Sequence, residues 1–183
     1  MRLLRLKILK QPDCMATLND FNTFFKNIAI NHVSIRHTEQ EKHFCSMEAE
    51  EVLSGMKQGV HFRLLVLETY EFGFSDKDSD NVSKNRICGL MLLDLPKNKE
   101  DFTERTALMS DIEETVDEIL RMMVKKRNHP YNNPVLKDFD INTVNVIPLM
   151  NGPDGSCGFR IVFDSKGWFH PAVDDSKWIS TDF

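Results

Sequence analysis

Membrane helices, secretory leaders and the familiar catalytic signatures are all missing from this sequence. No stretch comes near the ~20 consecutive apolar residues that a membrane-spanning helix needs. The opening residues, MRLLRLKILKQPDC, are partly apolar, but Arg5, Lys7 and Lys10 interrupt the run, which excludes a signal peptide. The four cysteines, Cys14, Cys45, Cys88 and Cys157, lie far apart and form no CxxC pair. Without a secretory context they read as reduced, mostly buried thiols rather than a disulfide framework. A soluble, intracellular chain is expected. Positive charge is also short. The 23 Lys and Arg against 28 Asp and Glu give a formal net charge of −5. Sequence-specific or wholesale nucleic-acid binding is therefore disfavoured, a local basic patch aside.

Catalytic motifs are absent too. There is no G-x-S-x-G elbow, no H-E-x-x-H pair and no Rossmann fingerprint. No catalytic residue, cofactor or metal is assigned, and the chain is not expected to be an enzyme. One thiol arrangement stays open, Cys45 near His43, because catalytic partners meet only in the fold. His32, His37, His43 and Cys45 cluster in sequence, but their spacing matches no zinc pattern. Asp76, Asp78 and Asp80 resemble the start of a calcium loop, yet Asn81 stands where glycine belongs and Ile87 where the closing carboxylate belongs.

What is present is an ordinary core-forming composition, 183 residues of which 41% are hydrophobic and 28% charged. That suits one globular domain over residues 17–165, with an N-terminal extension or arm at 1–16 and an aromatic tail at 166–183. Thr17 and Asp20 make a capping box, and Leu18, Phe21, Phe24, Phe25 and Ile28 fall on one helical stripe. Residues 31–59 are less regular. Within them SMEAEEVLSGM suits a short helix, capped by Ser46 and stopped by Gly55. Residues 60–72 alternate as one long strand, apolar on both faces at its centre, so both faces should be covered, the second by the first helix or by another subunit. A polar loop and the strand RICGLMLLDL complete a hairpin. A second helix follows. Ser110 and Glu113 form its capping box, Ile112, Val116, Ile119, Leu120 and Met123 its apolar stripe, and acidic and basic residues sit at its start and end.

Gly152, Gly155 and Gly158 recur at equal spacing in VIPLMNGPDGSCGFRIVF. A phosphate-binding loop would run into a helix and carry Gly-Lys-Ser/Thr. Here Phe159, Ile161 and Phe163 alternate with Arg160, Val162 and Asp164, which is a strand. The stretch is thus a second hairpin, from 141–149 to 159–163, whose turn places glycine and Asn151 at positive φ.

The fold class expected is α+β: a two-layer sandwich with a mostly antiparallel sheet built from two hairpins and an amphipathic helix packed on it. Both tryptophans lie near the end of the sequence. Trp168, Phe169, Trp178 and Phe183, set among polar residues with no regular period, suit docking onto a partner. The order of elements over 17–180, carried by RLLVLETYEFGF, SDIEETVDEILRMMVKK, VNVIPLMNGPDGSCGFRIVF and the DDSKW tail, resembles the tail-terminator and tail-completion proteins of bacteriophages. The hairpin, GFRIVF and closing tryptophan segment look like structural proteins of phages of Bacteroidetes hosts. The resemblance implies a head–tail connector ring: a virion protein assembled in the host cytoplasm. Copies of itself and neighbouring neck or tail proteins would be its partners, with no membrane. The alternative is a ferredoxin-like cellular domain, ligand-binding or regulatory, holding a small ligand between sheet and helix.

Overall fold

A computed structural model describes residues 16–48, 59–76, 82–129, 134–169, 173, 175–177 and 179. Residues 1–15 of the expected arm, residues 49–56 of the expected short helix, the loop tip at 77–81, Trp178 and Phe183 lie outside the described residues.

The first helix, α1 (Leu18–Asn31), begins where the capping pattern places it. The Thr17 backbone N–H and hydroxyl both donate to Asp20 Oδ2 at 2.7 Å, and the Asp20 N–H donates back to Thr17 Oγ1 at 3.3 Å. Those bonds favour the ionised carboxylate and hold Asp20 below its usual pKa. Phe21, Phe25 and Ala29 are buried along one stripe.

The second helix, α2 (Phe102–Arg127), starts earlier than its apolar stripe suggests. Asp101 is the cap: its carboxylate accepts from the N–H groups of Thr103 and Glu104 at 2.8 and 3.1 Å. Ser110 is therefore inside the helix, where its hydroxyl donates to the Thr106 carbonyl. Ile112, Val116, Ile119 and Met123 are buried as the period requires.

Six strands make one sheet: β1 (Lys42–Met47), β2 (Val60–Glu68), β3 (Glu71–Ser75), β4 (Ser83–Asp94), β5 (Asn145–Leu149) and β6 (Cys157–Trp168). Their order is β1-β2-β4-β6-β5, with β3 lying beside the first part of β4. All pairs are antiparallel except β1 with β2. This is the α+β, mostly antiparallel sheet expected, with a parallel edge strand added. Ser46 belongs to that strand.

Both helices pack on the same face. Phe21, Phe25 and Ala29 of α1 and Ile112, Val116, Ile119 and Met123 of α2 share one cluster with Leu65, Leu67, Leu90, Leu92, Ile161 and Phe163 of the sheet. Of the two covers expected for the opposite face, the first helix or another subunit, α1 is ruled out because it packs beside α2. Alternation sends Leu64, Val66, Met91 and Leu93 there instead, where with Met47 they form a smaller cluster.

The long strand at 60–72 is two strands. After Glu68 the chain breaks stride at Thr69 and Tyr70, and Tyr70 turns to the helix side, 5.1 Å from the Phe21 ring. The β5–β6 connection is the expected hairpin, but its positive φ values fall on Asp154 (57°) and Gly155 (79°), not on Asn151. Gly158 lies inside β6. β6 also runs through Trp168, so this tryptophan is a sheet residue.

Candidate functional site: an aromatic extension at an open sheet edge

β3 pairs with the first part of β4, whose other neighbour is the end of β6. Among the described residues β3 pairs with β4 only, and its outer edge has no partner there. Sheet edges are commonly blunted by proline or lysine. β5, at another edge, carries Pro148, while Glu71–Ser75 contains neither residue.

The side chains on this part of the sheet form an aromatic ladder. Starting from buried Phe21, ring centroids follow one another through Tyr70 (5.1 Å), Phe72 (6.4 Å), Phe74 (6.0 Å) and Phe169 (4.9 Å). Alternation along β3 and pairing with Arg86 and Lys84 place Phe72 and Phe74 on one face. They are 55% and 54% exposed. Lys84 Nζ stands 3.7 Å from the Phe72 centroid, a cation–π contact whose partial desolvation holds the lysine below its ordinary pKa. Large apolar side chains this exposed and this contiguous are uncommon on a protein surface.

The four aromatic residues singled out in the tail separate here. Phe169 joins the ladder, its N–H donating to the Val82 carbonyl at 2.9 Å. Trp168 pairs with Ser83 across β4–β6 and projects to the other face, half exposed. Trp178 and Phe183 lie outside the described residues. Phe72 and Phe74 were missed from sequence because a strand apolar at alternate positions reads as a core strand. In the fold both are more than half exposed.

Two charged arrangements brace the sheet. Arg160 on β6 reaches across β4 and binds Glu68 of β2 in a fork, Nε and Nη2 each donating to one carboxylate oxygen at 2.7 Å. Gly89 lies beneath: a Cβ there would come within 2.5 Å of the Glu68 carboxylate. On the helix face Arg63 donates to Asp94 and to the Thr115 hydroxyl at 3.0 Å each, and also to Asp111. The carbonyl oxygen of Arg63 lies 2.9 Å from His43 Nδ1.

A groove of about 700 Å³ runs between α1 and α2, with Phe24, Ile28, Ile119 and Met122 as its apolar floor and Lys125 and Lys126 at its rim. His32 lines it, its pKa lowered by burial and, secondarily, by Arg63.

Among the described residues no group of three or more His, Cys, Asp or Glu is placed to hold a metal ion, and no helix is long and apolar enough to cross a membrane. Cys45, Cys88 and Cys157 are thiols; Cys14 is outside the described residues. Burial pushes the Cys88 thiol up to about 12 and raises Cys157 in the same direction. The thiolate is the reactive form, so both are held in the inert form at neutral pH. Iodoacetamide at pH 8 should therefore leave Cys88 and Cys157 of the folded chain unmodified while both react in denaturant. Mass mapping of the alkylated peptides checks this, and native-state labelling of Cys88 as fast as in denaturant would contradict it. No protein family, curated protein or solved structure matches this chain.

Proposed function

We propose that this chain is a structural, non-catalytic subunit that assembles with copies of itself. The aromatic extension is its contact surface, in the manner of a ring-forming tail-terminator, tail-completion or neck-connector protein of a virion. The observation that carries the reading is the exposed Phe72–Phe74–Phe169 ladder along a β3 edge that has no partner among the described residues. An edge strand offers backbone donors and acceptors to a neighbour, and aromatic anchors beside it supply buried area with few rotatable bonds. The element order that resembles such ring proteins supports the same reading.

Light scattering behind size exclusion, followed by negative-stain imaging of the same peak, tests it. The wild-type chain is expected as a closed oligomer. Phe72→Ser with Phe74→Ser should give a monomer whose urea midpoint is nearly unchanged, because both rings are already more than half in solvent. A wild-type chain that stays monomeric at high concentration and joins no particle would count decisively against assembly.

The groove between α1 and α2 favours a second reading, a ligand-binding or regulatory domain, since its volume lies within the usual range for small-molecule sites. A monomer stabilised against heat by one metabolite from a library would select that reading over the first.

A further inference from the structure

The polar side of α1, turned away from the α2 groove, lines a separate pocket of about 360 Å³. Asn19, Asn22, Thr23 and Lys26 recur there at i, i+3, i+4 and i+7, one stripe of the helix. The opposite wall is the return from α1 into β1, carrying His37, Lys42 and Phe44 with Glu39 at the rim.

His37 is the built element of this pocket. It is only 7% exposed, and its N–H is tied to the Ala29 carbonyl at 3.0 Å. Its Nδ1 accepts from the His43 backbone N–H at 3.0 Å. A neutral imidazole that accepts at Nδ1 carries its proton on Nε2. Burial keeps the ring's pKa below the ordinary histidine value, in keeping with the neutral form. Nε2–H has no partner among the described residues, and His37 is one of the residues that line the pocket. Asn22 Oδ1, on the facing helix, is buried without a hydrogen-bond partner.

The charges are unequal. Lys26 and Glu39 neutralise each other at 2.9 Å, whereas Lys42 makes no ion pair among the described residues. One uncompensated cation and the neutral ring N–H of His37 match a monoanion, whereas the orphaned Asn22 Oδ1 is an acceptor and gives the anionic end nothing. A dianion would leave charge unmatched beside the Glu39 carboxylate. Phe44, edge-on to His37 with centroids 6.1 Å apart, supplies the apolar wall.

We propose that this pocket binds a small planar carboxylate, its anionic end between Lys42 and the Nε2–H of His37 and its flat apolar part against Phe44. The inference is independent of the assembly reading, because pocket and aromatic extension share no residue.

The full chain is titrated with benzoate, benzamide and inorganic phosphate while long-range ¹H–¹⁵N spectra follow the His37 ring. Benzoate should shift the Nε2 signal saturably, with benzamide and phosphate binding more weakly. Lys42→Gln should weaken benzoate about tenfold, the loss of one charge-assisted hydrogen bond, with the Nδ1 signal of the folded ring unmoved. Lys42 is exposed, so this variant tests binding and not folding. Absence of a saturable His37 response, phosphate binding as tightly as benzoate, or unaltered affinity in Lys42→Gln would each overturn the proposal.

Discussion

Gly158→Ala is expected to destabilise the fold by about 3 kcal/mol or more. Gly158 sits in β6, facing Leu93 of β4 on one side and Leu149 of β5 on the other. A Cβ built there overlaps the Leu92 carbonyl oxygen and stands 2.9 Å from the Leu92 carbonyl carbon and 3.0 Å from Leu93 Cα. Overpacking a core usually costs about 1–3 kcal/mol because neighbouring side chains can rotate aside. Here the obstacle is backbone, and β6 is hydrogen-bonded on both edges, so relief in one ladder strains the other. Urea denaturation should show a lower midpoint at an unchanged slope. Gly73→Ala is the matched control: nothing lies within 4 Å of a Cβ at that strand position, so it should be neutral or slightly stabilising. Equal midpoints for the two variants would remove the close-approach argument.

Arg63→Ala should cost about 3 kcal/mol, the lower end for breaking a buried pair, because one of the two carboxylates it holds is largely in water. The Arg63 side chain is 8% exposed, and its guanidinium joins β2 to Asp94 at the end of β4 and to Asp111 and Thr115 on α2. Truncation leaves the Asp94 carboxylate, itself mostly buried, without that partner. Arg63→Lys should recover part of the loss, since an ammonium keeps the charge but cannot present a fork to three acceptors at once. Arg121 provides the contrast. Its bonds to Asp117 and Glu118 lie along the exposed side of one helix, and Arg121→Ala should change stability by no more than about 0.5 kcal/mol. An Arg63→Ala variant as stable as Arg121→Ala would show that the buried network contributes nothing.

Elements were legible where a local period coincided with burial. The α1 stripe and the second half of α2 are such cases, as is the GFRIVF strand. The beginning of α2 was not, because Phe102 is exposed, Leu108 only half-buries against the core, and Asp101 caps a first turn that is helical without being apolar. β1 was missed for a related reason: of its six residues only Met47 is fully buried, so KHFCSM has no alternation to detect. The break between β2 and β3 was invisible, since Tyr70 fits the alternation of the preceding strand while its ring lies on the opposite face.

The exposed surfaces divide in the same way. Exposed aromatic residues were expected in the tail, and Phe169 joins an exposed aromatic ladder, but its companions Phe72 and Phe74 come from a hairpin distant in sequence. The His37 pocket joins a helix stripe to a strand and has no linear signature.

Local chemistry along the chain is enough for the α+β class, the two hairpins, the capping of α1 and the apolar stripes of both helices. Each depends on residues within a turn or a pleat of one another, whose side-chain directions are dictated by backbone geometry. Only the tertiary structure decided that both helices share one face, that β1 joins in parallel, that Arg63 meets partners 31, 48 and 52 residues away, and that Gly158 must stay bare. Those outcomes follow from how the closed loops pack together. Packing is a property of surfaces brought into contact, and neighbours along the chain do not encode it.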